Sequence, residues 1–414
     1  MSAAKPARRL LRASRWLLPA TLFSLSIVPG ALTLMNSSGA ADRLTPWTAR
    51  WQGTAAEARD WLQAASEPVE ELRPLAPLPA RWDGPWHAVD RNYARFDHWF
   101  NDHVGLRALM IRSKNEIDYR LFDSSRRVYF GAGQELYGRN LIDNEMPATE
   151  LLLADPARAD AVYRGVRAFA AGLKRQGVTL VLVAPIQKQY YTRARMPWFA
   201  PKVPDDSHFM ALYRRLRETP ELHFIDVKRH LDENQDKFPI FYKQDFHWTD
   251  LTAMVVAADA TDTIAALEGS PLRWRHAMAA DYQPFVGSEA RFAARLNTRE
   301  QTVEPQLRQT WQPRHKDTGF DAALTGWEFK TDRLDDAALL PPTCMYGNSF
   351  GDGMLRAGLS EHFSQFSKIS RALPLPQVPA LIQGQCRYLI VQVLDIQSGH
   401  WASLAPPAAS QSSQ

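Results

Sequence analysis

Cysteine is almost missing from this chain of 414 residues, in which only Cys344 and Cys386 occur. Two thiols cannot build a disulfide scaffold, and without a second pair they supply no structural zinc site. No internal repeat is visible at solenoid periods, which argues against a repeat architecture. Acid is missing from the first fifteen residues, MSAAKPARRLLRASR, and charge of either sign from the stretch that follows, WLLPATLFSLSIVPGALTLMN. A basic excess is missing from the remainder. The whole chain carries a net charge of +4, but Lys5, Arg8, Arg9, Arg12 and Arg15 account for it: without them 44 Lys and Arg face 45 Asp and Glu, a net of −1. The bulk of the protein is therefore no polyanion binder by charge, and nucleic acid is not an expected partner.

The uncharged stretch over 16–36 has the length of one membrane-spanning helix, roughly 20 residues for about 30 Å of hydrocarbon. Its basic flank at 1–15 should stay cytoplasmic and leave the C-terminal bulk outside. Pro19, Pro29 and Gly30 interrupt the apolar run, and small residues follow in MNSSGAA, so a cleaved signal peptide is the rival reading. Residues 37–90 are rich in Ala, Pro and Trp. A helix is expected over 54–65, and the prolines of PLAPLPARWDGP then exclude helix or central strand, which makes this stretch a stalk.

From residue 91 helical and strand patterns alternate. NYARFDHWFNDHVGLRALMIRSKNEIDYRLF has helical spacing, and so does ARADAVYRGVRAFAAGLKRQG, with Val162, Val166, Phe169 and Leu173 on one face and Gly177 at the end. VTLVLVAP, LHFIDV and YLIVQVL are strand-like runs of the kind buried in parallel sheets. The alternation predicts an α/β sandwich with a mostly parallel sheet over 91–396. The less regular, polar residues 270–338 read as an insertion or lid, and 397–414 as a tail.

Two stretches carry chemistry. In FYKQDFHWTD an aspartate, Asp245, precedes His247 by two residues, beside a helix start at Thr249; the pair can orient a general base or simply form a polar turn. In CMYGNSFGDGM, Ser349 lies between Gly347 and Gly351 at a strand-to-helix turn. That places a nucleophile at the carboxyl edge of a sheet, where open α/β folds bind ligands, with amides at the helix start able to hold an oxyanion. Lys188, Tyr190 and Tyr191 follow a strand to the same edge, to touch substrate, or else the tyrosines cover the sheet end and Lys188 is solvated. Trp248 can stack on a sugar or pack. His98 and Asp102 share a helix face near His103, but with no third ligand in sight no metal is expected. No cofactor is implied.

GNSFG after a short strand, together with Asp-x-His elsewhere, resembles the SGNH/GDSL hydrolase superfamily. The order, DFHWTD before GNSF, resembles its AlgX/AlgJ-type branch, the alginate and exopolysaccharide O-acetyltransferases. FDHWFNDHVGLRALMIRSKNEIDYRLF, VLVAPIQKQYY and EHFSQFSKIS with QCRYLIVQVLD are similar to segments of that branch. The membrane-anchored, AlgJ-like arrangement fits better, since no C-terminal carbohydrate-binding module is visible. The resemblance implies a three-layer α/β/α sandwich and a triad of Ser349, His247 and Asp245. It also implies a polysaccharide acceptor, a membrane-bound O-acyltransferase that delivers acetyl, and a periplasmic catalytic domain held at the inner membrane. Departures are Asn348 in place of the usual Asp, and oxyanion donors of which only the Ser349 amide can be named. An esterase with the same triad and an inactive polysaccharide-binding scaffold are the alternatives. In an oxidising compartment Cys344 and Cys386, each at the start of an expected strand, should form one disulfide.

Overall fold

The computed structural model describes residues 53, 69–70, 73–78, 89–296, 302–320, 327–334 and 338–405. The expected basic tail, the anchor over 16–36, the helix over 54–65 and residues 406–414 lie outside these. Among the described residues no helix is long and apolar enough to cross a membrane.

The chain divides into two units. The smaller, over 1–125 and 290–300, contains helices Val89–His103 and Arg107–Phe122. Buried Glu116 binds Arg120 at 2.6 Å and Arg295 at 3.1 Å. Asp102 is taken by Arg73 and by the Ala76 amide, and His103 Nδ1 bonds the Trp99 carbonyl at 2.8 Å.

The larger unit, over 126–289 and 301–414, holds a seven-stranded sheet. Its strands are β1 (Thr179–Val183), β2 (His223–Ile225), β3 (His315–Gly319), β4 (Trp327–Arg333), β5 (Thr343–Tyr346), β6 (Phe366–Ile369) and β7 (Tyr388–Gln392). The order is β2-β1-β7-β5-β6-β4-β3. The first five are parallel; β4 adds antiparallel to β6, and β3 adds antiparallel to β4. The sheet is thus mixed: the expected parallel pairing holds from β2 to β6, and the antiparallel edge of β4 and β3 is the part not foreseen. The physical reason is local: β5, β6 and β7 are buried along their whole length, while β3 buries His315 but exposes Lys316, Asp317 and Thr318. A solvated edge strand does not read as an apolar run. Part of the expected insertion is therefore sheet, and the rest includes a hairpin of Ala280–Phe285 with Thr302–Leu307.

Helices α1 (Pro156–Arg175), α2 (His208–Arg217), α3 (Val227–Asn234), α4 (Asp250–Leu267), α5 (Ser349–Arg356) and α6 (Ser398–Leu404) fall into two packed groups. One contains α1, α2 and α6; the other contains α3, α4 and α5. Asp155 caps α1 through the Ala157 amide at 2.9 Å, and Gly177, at φ 77°, closes its end. The Val178 amide reaches back to the Leu173 carbonyl there, as a left-handed glycine cap requires. Val162, Val166 and Leu173 are buried on the inner face of α1. Helix α6 ends what was read as a tail: Trp401 is fully buried, and α1 approaches so closely that a methyl on Gly165 would strike the Leu404 carbonyl. Helix α4 is buried around most of its circumference, as a central helix between partners must be.

Candidate active site

The nucleophile turn is built from two strand ends. Strand β5 stops at Tyr346, Gly347 and Asn348 turn the chain, and α5 begins at Ser349. Asn348 caps the helix by accepting the Phe350 amide at 3.0 Å. From the end of neighbouring β7, the Gln392 side-chain oxygen accepts the amides of Asn348 and Gly351, each at 3.1 Å. A side chain on Gly347 would lie 2.6 Å from that oxygen, and one on Gly351 2.4 Å from the Met345 methyl. The glycines are required for this close approach. With the amides of Asn348, Phe350 and Gly351 engaged, the Ser349 N–H remains the candidate oxyanion donor of the turn.

The base arrives from the start of α4. Thr249 caps that helix through the Thr252 amide, and the residues just before it carry Asp245 and His247. Two links pin this start to α5, although the chain positions differ by about 100: Trp248 Nε1 donates to the Phe350 carbonyl at 3.1 Å, and Arg356 forks onto Asp250 at 2.7 and 3.0 Å. A methyl on Gly353 would meet Ala253 at 3.0 Å, so the helices touch almost backbone to backbone.

The outcome is a linear array. His247 Nε2 lies 2.6 Å from Ser349 Oγ, and His247 Nδ1 lies 2.6 Å from Asp245 Oδ1. The same aspartate oxygen accepts the His247 amide at 2.9 Å, and Oδ2 accepts the Ser288 amide at 2.8 Å. Asp245 is buried, whereas the His247 side chain is 22 % exposed and Ser349 is partly exposed. Burial pushes the Asp245 carboxyl up, but the bonds from His247 and Ser288 outweigh it and bring it down to about 2. An ionised acceptor at Nδ1 assigns that nitrogen the proton and leaves Nε2 free to accept from Ser349. Phe246 and Phe350 wall the imidazole, with ring centres 3.9 and 4.9 Å from it.

Residues 147–371 match the model of the SGNH hydrolase-like domain of acetyltransferase AlgX. The chain belongs to this family. Among solved structures it is similar to the O-acetyltransferase domain of AlgJ from Pseudomonas putida, at 15% identity and a TM-score of 0.44 over 65% of this chain and 91% of that one. It is also similar to PatB1 of Bacillus cereus, at 12% identity and 0.43 over 66% and 96%, and to AlgX of Pseudomonas aeruginosa, at 16% and 0.38 over 69% and 67%. No curated protein matches the chain.

For the other residues of this AlgX-family chain the readings left open above now separate. Lys188 is only 3% exposed, and its ammonium binds Glu135 at 3.2 Å and the carbonyls of Tyr242 and Lys243 at 3.3 and 2.7 Å. An ammonium so committed has no donor for substrate and is not solvated, which corrects both readings. Trp248 is 1% exposed and held through its indole nitrogen, so it packs and does not stack on a sugar. The Tyr190 hydroxyl meets Ser207 at 3.1 Å and the Tyr191 hydroxyl meets Asp232 at 2.7 Å, so both tyrosines tie the sheet end to α2 and α3. Cys344 and Cys386 form a disulfide with Cα atoms 5.7 Å apart. Two residues were missed. Gln392 was visible as an amide inside the apolar run YLIVQVL; Ser288 had no such signal.

Proposed function

We propose that the protein is a periplasmic O-acetyltransferase that acetylates an exported polysaccharide through an acyl-enzyme on Ser349. The array from Asp245 through His247 to Ser349, with its two 2.6 Å links, is the observation that carries this reading. His247 Nε2 takes the hydroxyl proton as Ser349 Oγ bonds the acetyl carbon, and the Ser349 amide holds the oxyanion. The imidazolium returns that proton to the leaving group of the donor. A sugar hydroxyl then enters, gives its proton to His247 and attacks the ester, and the imidazolium passes that proton to Ser349 Oγ as the acyl bond breaks, releasing acetylated sugar and free Ser349.

Membership of the AlgX family supports an acyl-transfer chemistry. The basic tail and apolar run at 1–36 support anchoring in the inner membrane with the catalytic domain outside. In that compartment acetyl has to be supplied across the membrane, and a membrane-bound O-acyltransferase is the partner of the right kind.

An esterase differs in one step, the entry of water in place of sugar, and the partial exposure of Ser349 and His247 leaves that route open. A single experiment separates the two. The full chain is incubated with an activated acetyl ester, with and without candidate oligosaccharides, while free acetate and acetylated sugar are both followed. Acetylated sugar that forms at the expense of acetate supports the transferase. Acetate alone, unaffected by any oligosaccharide, supports the esterase, and full activity in Ser349→Ala removes both readings.

A further inference from the structure

Four carboxylates are buried behind His247: Glu135 at 3% exposure, Asp245 at 5%, and Glu289 and Glu304 at 1% each. Their partners are unequal. Glu135 has Lys188 at 3.2 Å and Arg195 at 2.7 Å, and Glu304 has the Lys243 amide at 3.1 Å. Asp245 has three N–H donors. Glu289 receives the Ser288 hydroxyl at 2.6 Å, and its other oxygen is pressed against Gly138, where a methyl would lie 3.0 Å away.

The turn that carries Glu289 is fitted to the aspartate. A methyl on Gly287 would lie 1.9 Å from the Gln244 carbonyl oxygen and 2.7 Å from Asp245 Cβ. Only glycine lets the turn come near enough for the Ser288 amide to bind Asp245 Oδ2. Ser288 then presents its amide to one carboxylate and its hydroxyl to the next.

We propose that Gly287, Ser288 and Glu289 form a positioning element of the site, in which the charge on buried Glu289 sets how firmly Asp245 holds His247. The inference rests on the catalytic reading of the triad. With Glu289 neutral, Asp245 is the anion that faces the Ser288 amide. Ionised, Glu289 sets a second desolvated negative charge beside it, while Lys188 is engaged by Glu135 and two carbonyls, and Arg195 by Glu135. Two such carboxylates repel, and the turn is the part that yields, drawing the Ser288 amide away from Oδ2. Burial, with the Asp245 charge, pushes the Glu289 carboxyl up to about 8, which places this event on the alkaline side of neutrality.

The test is the rate of Ser349 acetylation by an activated acetyl ester, measured on the full chain between about pH 6 and pH 10. Wild type, Glu289→Gln and Glu289→Ala are compared, with thermal unfolding as the check on folding. In wild type kcat should fall at least about threefold on the alkaline limb while KM changes little. Glu289→Gln keeps the shape but cannot ionise, so that fall should vanish. Glu289→Ala, which leaves a cavity, should lower kcat throughout; if it does not fold, the glutamine variant decides alone. An alkaline fall in Glu289→Gln that matches wild type overturns the proposal, and so does a wild type with no fall. Ser349→Ala in the same assay separates the two levels: if it stays active the triad reading itself is wrong, whereas if it is dead and the two profiles coincide only the role of Glu289 is lost.

Discussion

Asp245 and Glu289 occupy one buried patch, 5% and 1% exposed, yet their surroundings push them in opposite directions. Asp245 is held at about 2 and Glu289 at about 8. Burial raises both, so burial does not explain the difference. The partners do: Asp245 collects the His247 ring and two backbone amides, whereas Glu289 collects a hydroxyl and its own backbone amide and faces the charge of its neighbour. Asp395 repeats the second case on β7's side of the sheet edge. It is 2% exposed, accepts the Gln187 amide at 3.2 Å, is also lowered by the Ile396 amide and the Gln187 side chain, and is still pushed up to about 7 by burial. Amides by themselves therefore do not hold a buried carboxyl down here; the bond and charge of the His247 ring set Asp245 apart and make it the acid that can serve a base.

The comparison breaks most severely if Asp245 loses its charge without losing its shape. In Asp245→Asn the amide group can face Nδ1, which turns the imidazole to the tautomer with its proton on Nε2. That nitrogen then cannot accept from Ser349, and kcat should drop by about 10³–10⁴. A loss below about tenfold in acetyl-enzyme formation would show that Asp245 does not set the tautomer.

Next comes the fit between the two carboxylates. Gly287→Ala places a methyl against the Gln244 carbonyl, so the Ser288 turn must retreat from Asp245. A misplacement of about 1 Å can cost about 10² in rate, and a loss of that order in kcat is expected. Gly399→Ala is the control, since nothing lies within 4 Å of its new methyl. Equal kinetics for the two variants would mean that the turn does not act on the triad.

These two regions also mark how far the sequence could be read. Asp245, His247 and Ser349 stand in local motifs whose glycines, caps and flanking apolar residues are all close in sequence. The buried strands were legible for the same reason, because VTLVLVAP and YLIVQVL are apolar on both faces. Strands β3 and β4 were not, because an edge strand in water needs no apolar run. Gly287 and Ser288 act on a backbone more than 40 residues away, and neither residue type announces such a contact. Lys188 was misread because a lysine that follows a buried strand has the same sequence signature whether it faces substrate or is consumed by a buried glutamate.

The disulfide gives a smaller effect, on the strands that deliver the site. Cys344 lies in β5, the strand that leads to Ser349, and Cys386 just before β7, the strand that ends at Gln392. The bridge spans 42 residues. Closing a loop of that size restricts the unfolded chain, so Cys344→Ser with Cys386→Ser should lower unfolding stability by about 3 kcal/mol. Urea midpoints of the double variant and the oxidised wild type check this, and coincident midpoints would place the restriction elsewhere.

Asp395 provides the gentlest test of whether a buried carboxyl without a histidine partner keeps its proton. Its ordinary value is 3.8 and the folded value about 7, so between these limits the native state holds a proton that the unfolded chain has released. Stability must then decline as pH rises through that window, by up to about 1.4 kcal/mol per pH unit, and level off above it. Asp395→Asn cannot follow, whatever constant offset the amide introduces at the Gln187 contact. The difference in unfolding free energy between variant and wild type should therefore shift in favour of the variant from about pH 4.5 to about pH 7.5, and by no more than a few kcal/mol. Urea unfolding at half-unit steps measures it, and the other titrating groups cancel in the difference. Parallel curves would mean that Asp395 is ionised in the fold despite its burial, and that amides without a histidine suffice to hold a carboxylate at this sheet edge.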